Sequence, residues 1–190
     1  DFFRSIFGGM GTEGGAAQPR SRRGQDLEQV VEVSLEEAAG GTTRLVQVDG
    51  RRLGVKIPPG VRTRSRVRVA REGGRGLRLR RRGDLYLRVK VLPHRVFQRK
   101  GDDLECELPV ELYVTILGGE VEVPILTGKV MLKVPSESQN GTVFRLRGQG
   151  MPNLSQPGRR GDLYVKLKVT LPQRLSSRKR ELFRELASIR

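Results

Sequence analysis

A segment of twelve to thirteen residues occurs twice in this chain, and that duplication decides how the rest can fold. Arg82-Gly83-Asp84-Leu85-Tyr86-Leu87-Arg88-Val89-Lys90-Val91-Leu92-Pro93 returns as Arg160-Gly161-Asp162-Leu163-Tyr164-Val165-Lys166-Leu167-Lys168-Val169-Thr170-Leu171-Pro172. The correspondence continues upstream in the same order. Asp26-Leu27-Glu28 returns as Asp103-Leu104-Glu105, Gly40-Gly41 as Gly118-Gly119, and Lys56-Ile57-Pro58 as Lys133-Val134-Pro135. Two tandem copies of one small domain account for this, because a solenoid needs three or more copies to bury its faces.

Each copy has roughly seventy to eighty residues, near the lower limit for folding alone, so the copies are expected to lean on one another or on a partner. Within them apolar and polar residues alternate, as in Leu104-Glu105-Cys106-Glu107-Leu108 and Val67-Arg68-Val69. Short alternating runs punctuated by Gly and Pro are half-buried strands. The expected fold class is therefore mainly β: two tandem homologous β-sandwich-like domains, short helices and a C-terminal α-helix.

Residues 1–25 read as a flexible linker of glycine and small polar residues, with Phe2, Phe3 and Phe7 as its apolar exceptions. Those aromatics are either a sticky patch on a tail or a segment that docks. The first β-domain spans 26–95. In it Val31 and Val33 share a strand face, Glu36-Glu37-Ala38-Ala39 makes a helical turn, and Thr42 to Val48 returns. Asp49-Gly50 is a hairpin signal. The second β-domain spans 96–173, with a long strand over Leu104 to Leu112, a returning strand over Val121 to Ile125 and another over Lys129 to Val134. The loop from Gly148 to Arg160 is longer than its counterpart and is expected to be mobile. From 174 to 190, Ser176 or Ser177 caps a helix in which Leu182, Phe183, Leu186 and Ile189 form one apolar stripe. That stripe can cover the second domain or pair with its copy in another subunit.

Residues suited to catalysis are scarce. One cysteine, Cys106, excludes an internal disulfide and a multi-cysteine zinc site, and its parity with Leu104 and Leu108 makes it a small buried hydrophobe. The one histidine, His94, excludes a histidine-pair metal site and reads as a solvated loop residue. Gly73-Gly74-Arg75-Gly76 lacks the helix and Lys-Ser/Thr ending of a phosphate loop, which leaves a hairpin tip. The net charge of +16 raises nucleic acid as a partner. Against this, the basic residues are spread along the strands as the polar half of the alternation, and Arg20-Ser21-Arg22-Arg23 and Arg80-Arg81-Arg82 carry little interleaved aromatic surface for base stacking. No apolar run approaches the ~20 residues of a membrane span. The reading is a cytoplasmic binding protein, not an enzyme, with no cofactor, metal or membrane partner.

Several motifs in order now resemble one family. They are Ser34-Leu35-Glu36-Glu37-Ala38, Lys56-Ile57-Pro58-Pro59-Gly60, Gly83-Asp84-Leu85-Tyr86, Phe97-Gln98-Arg99-Lys100-Gly101-Asp102-Asp103-Leu104, Leu117-Gly118-Gly119-Glu120, and Arg147-Gly148-Gln149-Gly150-Met151-Pro152. Together they resemble the C-terminal peptide-binding region of the DnaJ co-chaperones. The family's J-domain signature His-Pro-Asp is not present, since Arg95 follows His94, and Asp1 to Gly15 is similar to the linker that follows a J-domain, so the resemblance implies a fragment. Val48-Asp49-Gly50-Arg51 bridges the point where class A members carry a zinc module, which implies the zinc-free class B type.

The resemblance further implies that an unfolded client adds as a strand to the first β-domain and is delivered to a DnaK-type chaperone, the latter mainly through the absent J-domain. The client pocket is expected between the first and returning strands, at Val31, Val33, Val46 and Val48, with Phe97 closing one end and Leu45 more peripheral. The same alternating valines on paired strands also describe a plain core. The C-terminal stripe Leu182, Phe183, Leu186 and Ile189 is implied to make a homodimer. The alternative is a basic nucleic-acid-binding β-protein, and the two are compatible, because some DnaJ-like proteins are associated with nucleoid DNA.

Overall fold

The computed structural model describes residues 24–75 and 82–189. The first unit contains β1 (Leu27–Val33), α1 (Leu35–Gly40), β2 (Thr42–Val48), β3 (Arg51–Ile57), β4 (Arg66–Val69) and β5 (Leu85–Val91). The second contains β6 (Gln98–Lys100), β7 (Asp103–Glu111), α2 (Leu112–Leu117), β8 (Gly119–Ile125), β9 (Gly128–Val134), β10 (Val143–Leu146) and β11 (Leu163–Thr170), followed by α3 (Ser177–Ser188). The duplication is thus an architectural one. Each unit sets a mixed sheet, β1-β5-β4 or β7-β11-β10, beside a two-stranded hairpin, β2-β3 or β8-β9, in a β-sandwich-like arrangement.

The doubled Gly-Asp-Leu-Tyr segment is where each mixed sheet begins. Leu27 N–H donates to the Asp84 carbonyl and Leu104 N–H to the Asp162 carbonyl, each at 2.9 Å, starting the parallel pairings β1–β5 and β7–β11. At this crossing the backbones approach so closely that a Cβ on Gly83 would overlap the Gln25 carbonyl oxygen, and one on Gly161 the Asp102 carbonyl oxygen. The aspartate after each glycine ties the neighbouring loops. Asp84 accepts from Arg68 Nε at 2.8 Å and Arg71 N–H at 2.9 Å, while Asp162 accepts from Arg145 Nε at 2.6 Å and Gly148 N–H at 2.8 Å. Their own amides donate to Asp26 and Asp103. The motif thus makes the same set of contacts at the start of both mixed sheets.

Local chemistry accounts for the turns. Ser34 and Glu37 form a reciprocal capping box that starts α1. Asp49 and Gly50, at φ 48° and 76°, make the type I′ turn between β2 and β3 that the sequence predicts. The caps Gly41 and Gly118 share a conformation (φ 77° and 81°), so the second copy aligns with the first at Gly41 rather than at Gly40.

Three expectations need correction. Leu112 does not end a strand but starts α2, a helix that its apolar, β-branched residues conceal from periodicity. The first and returning strands are not a pair: β1 pairs with β5 and β2 with β3, so they belong to different sheets. The loop from Gly148 to Arg160 does not hang free. Met151 and Pro152 are buried, Met151 N–H donates to the Asp102 carbonyl at 2.7 Å, and the loop seats against Gly60 of the first unit. Its extra length makes a junction between the units. There Arg99 donates to the carbonyls of Val61, Gly60 and Gly101, and Asp102 accepts from Arg62 and Asn153, both at 2.7 Å. Burial pulls the Arg99 guanidinium below its ordinary range. The buried side chains form one cluster running through both units.

Candidate functional site

Two strand edges of the first unit stand open among the described residues. Along β1, Leu27 N–H and the Val33 carbonyl face the β5 side. Because a residue's N–H and C=O point to one side of a strand and alternate along it, Glu28, Val30 and Glu32 direct theirs to the opposite edge. Among the described residues β1 has no strand on that edge. The two-residue turn makes Val48 and Arg51 the hydrogen-bonded pair that closes the β2-β3 hairpin. By the same alternation Thr43, Leu45 and Gln47 point their peptide groups away from β3, where again no described strand pairs. Each edge thus offers three consecutive outward donor–acceptor sets. Each also carries an exposed apolar side chain: Val30 is 58% exposed and Leu45 74%.

The side chains singled out in the sequence lie differently. Val31, Val33, Val46, Val48 and Phe97 are all buried in the core, whereas Leu45 stands on the solvent face of the hairpin, over Gly54. Phe97 borders a cleft of about 640 Å³ at the junction of the units, lined also by Leu35, Val91, Leu92, Pro93 and His94. His94 is not a solvated loop residue. Its Nδ1 accepts from the amides of Val96 and Phe97, both at 3.1 Å, its Nε2 lies 3.0 Å from Glu36, and its ring stacks on Phe97. Amide and Ser34 hydrogen bonds, and then His94, hold Glu36 below the usual carboxylate range.

The corresponding edges of the second unit are interrupted. Leu104 N–H faces β11, so Asp103, Glu105, Glu107 and Pro109 face the other edge of β7. Strand β6 covers that edge from Asp103 to Glu105, and Pro109 has no N–H to offer beyond it. In β8, Pro124 occupies the position of Gln47 and removes the equivalent outward donor. Sequence reasoning passed over both prolines. The signal was present, since an offset of 77 places Pro109 against Glu32 and Pro124 against Gln47.

The remaining candidates are quickly placed. Leu182 and Leu186 of α3 and its C-cap Ile189 are exposed, Phe183 is half-buried, and no residue of the helix is fully buried. Cys106 is buried, and burial pushes its thiol up, away from nucleophilic use. No group of metal-ligating side chains occurs among the described residues, and no described helix is long and apolar enough to cross a membrane. Many strand cations are engaged by neighbours: Arg88 with Glu28, Lys90 with Glu32, Arg68 with Asp84. The segments Asp1–Phe7, Arg20–Arg23 and the tip around Gly76, with Arg80 and Arg81, lie outside the described residues.

Fold and site together define a duplicated β-sandwich-like module whose distinctive surface is a strand edge. The chain belongs to the DnaJ C terminal domain family, whose profile matches residues 21–172. Among its relatives, the Chaperone protein DnaJ 2 of Thermus thermophilus is 43% identical over 98% of this chain and 64% of its own length. The Chaperone protein DnaJ of Deinococcus proteolyticus is 43% identical over 97% of the chain and 57% of its own. The Curved DNA-binding protein of Pseudomonas syringae pv. tomato is 37% identical over 98% and 63%. The chain therefore spans roughly three fifths of the length of these relatives.

Proposed function

We propose that this chain is the client-binding part of a co-chaperone and holds extended, unfolded polypeptide by strand addition to the first unit. The observation that carries this reading is the asymmetry of the edges. Exposed strand edges invite aggregation and are normally suppressed. Here the β7 and β8 edges are interrupted by Pro109, Pro124 and β6, whereas the corresponding β1 and β2 edges keep unbroken donor rows. Backbone pairing supplies affinity that tolerates any client sequence, and exposed Leu45 and Val30 supply a preference for apolar side chains. The valines Val31, Val33, Val46 and Val48, with Phe97, support the reading as the core that holds β1 and β2 in place, and their side chains meet a client only if the layers part.

In this reading the client passes to a DnaK-type chaperone, the module does no chemistry itself, and the stripe Leu182, Phe183, Leu186 and Ile189 joins two copies. A dimer sets two edges on one client and raises avidity without new contacts. Titration of a fluorescent apolar peptide at high salt tests the site. Gln47→Pro should weaken binding while the melting temperature holds, and unchanged affinity would overturn the assignment.

The +16 charge and the DNA-binding name of the Pseudomonas relative favour a second reading, binding to nucleic acid. Salt separates the two. Phosphate-driven binding falls steeply as salt rises, whereas strand addition with apolar contacts persists.

A further inference from the structure

Around β4 and β10 the two units share a backbone conformation but not the residues that adopt it. Arg64 and Arg71, two residues before and two after β4, hold left-handed backbone at φ 75° and 62°. An offset of 77 sets them against Gly141 and Gly148, at φ 85° and 68° on either side of β10. Their hydrogen bonds correspond as well. Arg64 N–H donates to the Val89 carbonyl and Gly141 N–H to the Leu167 carbonyl, while the Arg71 and Gly148 amides donate to the carboxylates of Asp84 and Asp162. Glycine takes this conformation freely, and a residue with a Cβ takes it at a cost. Because the second unit makes the same turns with glycine, the fold has no need of arginine at either place. Strain held at both ends of one strand points to a use for the side chains.

The strand between them extends the row. Arg66 and Arg68 alternate with half-buried Val67 and Val69, which turns both arginines toward solvent about 7 Å apart. All four arginines are exposed, and among the described residues only Arg68 has an ion-pair partner, the buried Asp84. The exposed acids of this sheet face, Glu28 and Glu32, stand on the far strand β1 and are engaged by Arg88 and Lys90. In the second unit Gly141, Val143 and Gly148 replace Arg64, Arg66 and Arg71, and Arg145 alone of the four remains. A run of guanidinium forks suits a polyanion with recurring phosphates, which arginine grips two-pronged. An added polypeptide strand would be held by peptide groups and would not call for strained arginines. Bases are not read here either, because Tyr86, the aromatic on this face, lies under the Arg66 guanidinium, 4.4 Å from its ring centroid.

We propose that the arginine row Arg64, Arg66, Arg68 and Arg71 along β4 is a contact surface for the phosphate backbone of nucleic acid, bound by charge without regard to sequence. The proposal rests on the nucleic-acid reading given above and locates its surface. Since β4 lies at the opposite edge of its sheet from β1, this surface is separate from the β1 edge assigned to clients.

Fluorescence anisotropy of a labelled short DNA duplex across a salt series, on the full chain, tests it. The row variant is Arg64→Gly with Arg71→Gly, which installs the second unit's own residues. The control is Lys133→Gln with Arg159→Gln, which removes the same charge from exposed positions of the second unit. The row variant should bind about tenfold more weakly, and its plot of log affinity against log salt should be shallower by about 2, at 0.9 per phosphate contact. Its melting temperature should equal or exceed the parent's, because the backbone strain is relieved. The control should keep the parent's slope. Equal losses in the two variants would mean diffuse charge without a site, and would overturn the proposal. A row variant that binds like the parent, or that melts below it, would overturn it as well, as would a row that prefers polyglutamate to duplex. A parent chain that does not bind duplex would remove the nucleic-acid reading itself.

Discussion

The first and second units start from the same strands and treat their edges in opposite ways. In the first, Glu28, Val30 and Glu32 on β1 and Thr43, Leu45 and Gln47 on β2 direct unbroken rows of peptide groups away from their sheets. In the second, β6 covers the start of β7, Pro109 interrupts its middle, and Pro124 interrupts β8. Edge prolines are a standard protection against unwanted pairing. The pattern teaches that duplication preserved what the fold requires, the Gly-Asp start of each mixed sheet, and let diverge what the fold does not require. The helices diverged in the complementary sense, polar at α1 and apolar at α2. The contrast is confined to these corresponding edges, open at β1 and β2 and interrupted at β7 and β8.

The largest effect expected is on the buried valines. Val46→Asp and its counterpart Val123→Asp each place an unpaired charge in the core, which should cost about 3–5 kcal/mol by urea denaturation. If Val46→Asp kept full stability and lost only peptide binding, Val46 would line a pocket and the two units would differ in their cores as well as their edges.

The shared start of the sheets should respond equally. Gly83→Ala and Gly161→Ala force a Cβ into backbone carbonyl oxygen, and each should lower stability by about 2–3 kcal/mol. A marked inequality would show that one crossing is free to relax.

Edge chemistry comes next. Gln47→Pro removes one outward donor at a position whose counterpart already tolerates proline, so peptide affinity should fall by about 1 kcal/mol, roughly fivefold, with little change in melting. The reverse change, Pro124→Gln, should leave stability within about 0.5 kcal/mol and give the second unit measurable peptide affinity. Failure of both exchanges would mean that the prolines are incidental to binding.

The smallest effect concerns pH. The Arg62 hydrogen bond, with Asn153 and Arg99 assisting, holds Asp102 below its ordinary value of 3.8. A depressed folded value means that the ionised carboxylate stabilises the junction above the ordinary value, and that this contribution is lost as pH falls through the lower folded one. Asp102→Asn should therefore lower stability at neutral pH slightly and flatten the acid limb of a stability–pH curve below about pH 4. An unchanged slope would show that the junction does not depend on this charge.

How much of this was legible depends on the range of the interaction. Alternation marked β1, β2, β5, β7 and β11, and Asp49-Gly50 marked its hairpin, because those signals are written in adjacent residues. Glu36-Glu37-Ala38-Ala39 likewise announced α1, though its Ser34–Glu37 capping box emerged only with the structure. The residues of α2 after Leu112 drew no assignment because Tyr, Val, Thr and Ile also suit strands, and only the turn at Gly118 and the contacts with β7, β8 and β11 decide for a helix. The valine set fitted a pocket or a plain core equally well on sequence, because alternation says which residues share a face without saying what that face meets. The loop holding Met151 was expected to be mobile from its length, and its partner, Gly60, lies some ninety residues earlier, where no local signal points to it.

By itself, then, the sequence determined the duplication, the β class, the turns and the apolar stripe of α3, since each follows from short-range periodicity and backbone preference. Tertiary structure decided that β1 pairs in parallel with β5, that the valines face inward, and that Pro109 and Pro124 fall on outward-facing positions. Strand partners and edge directions arise from contacts between residues far apart in the chain, and no local pattern encodes which side of a strand will be left without a neighbour.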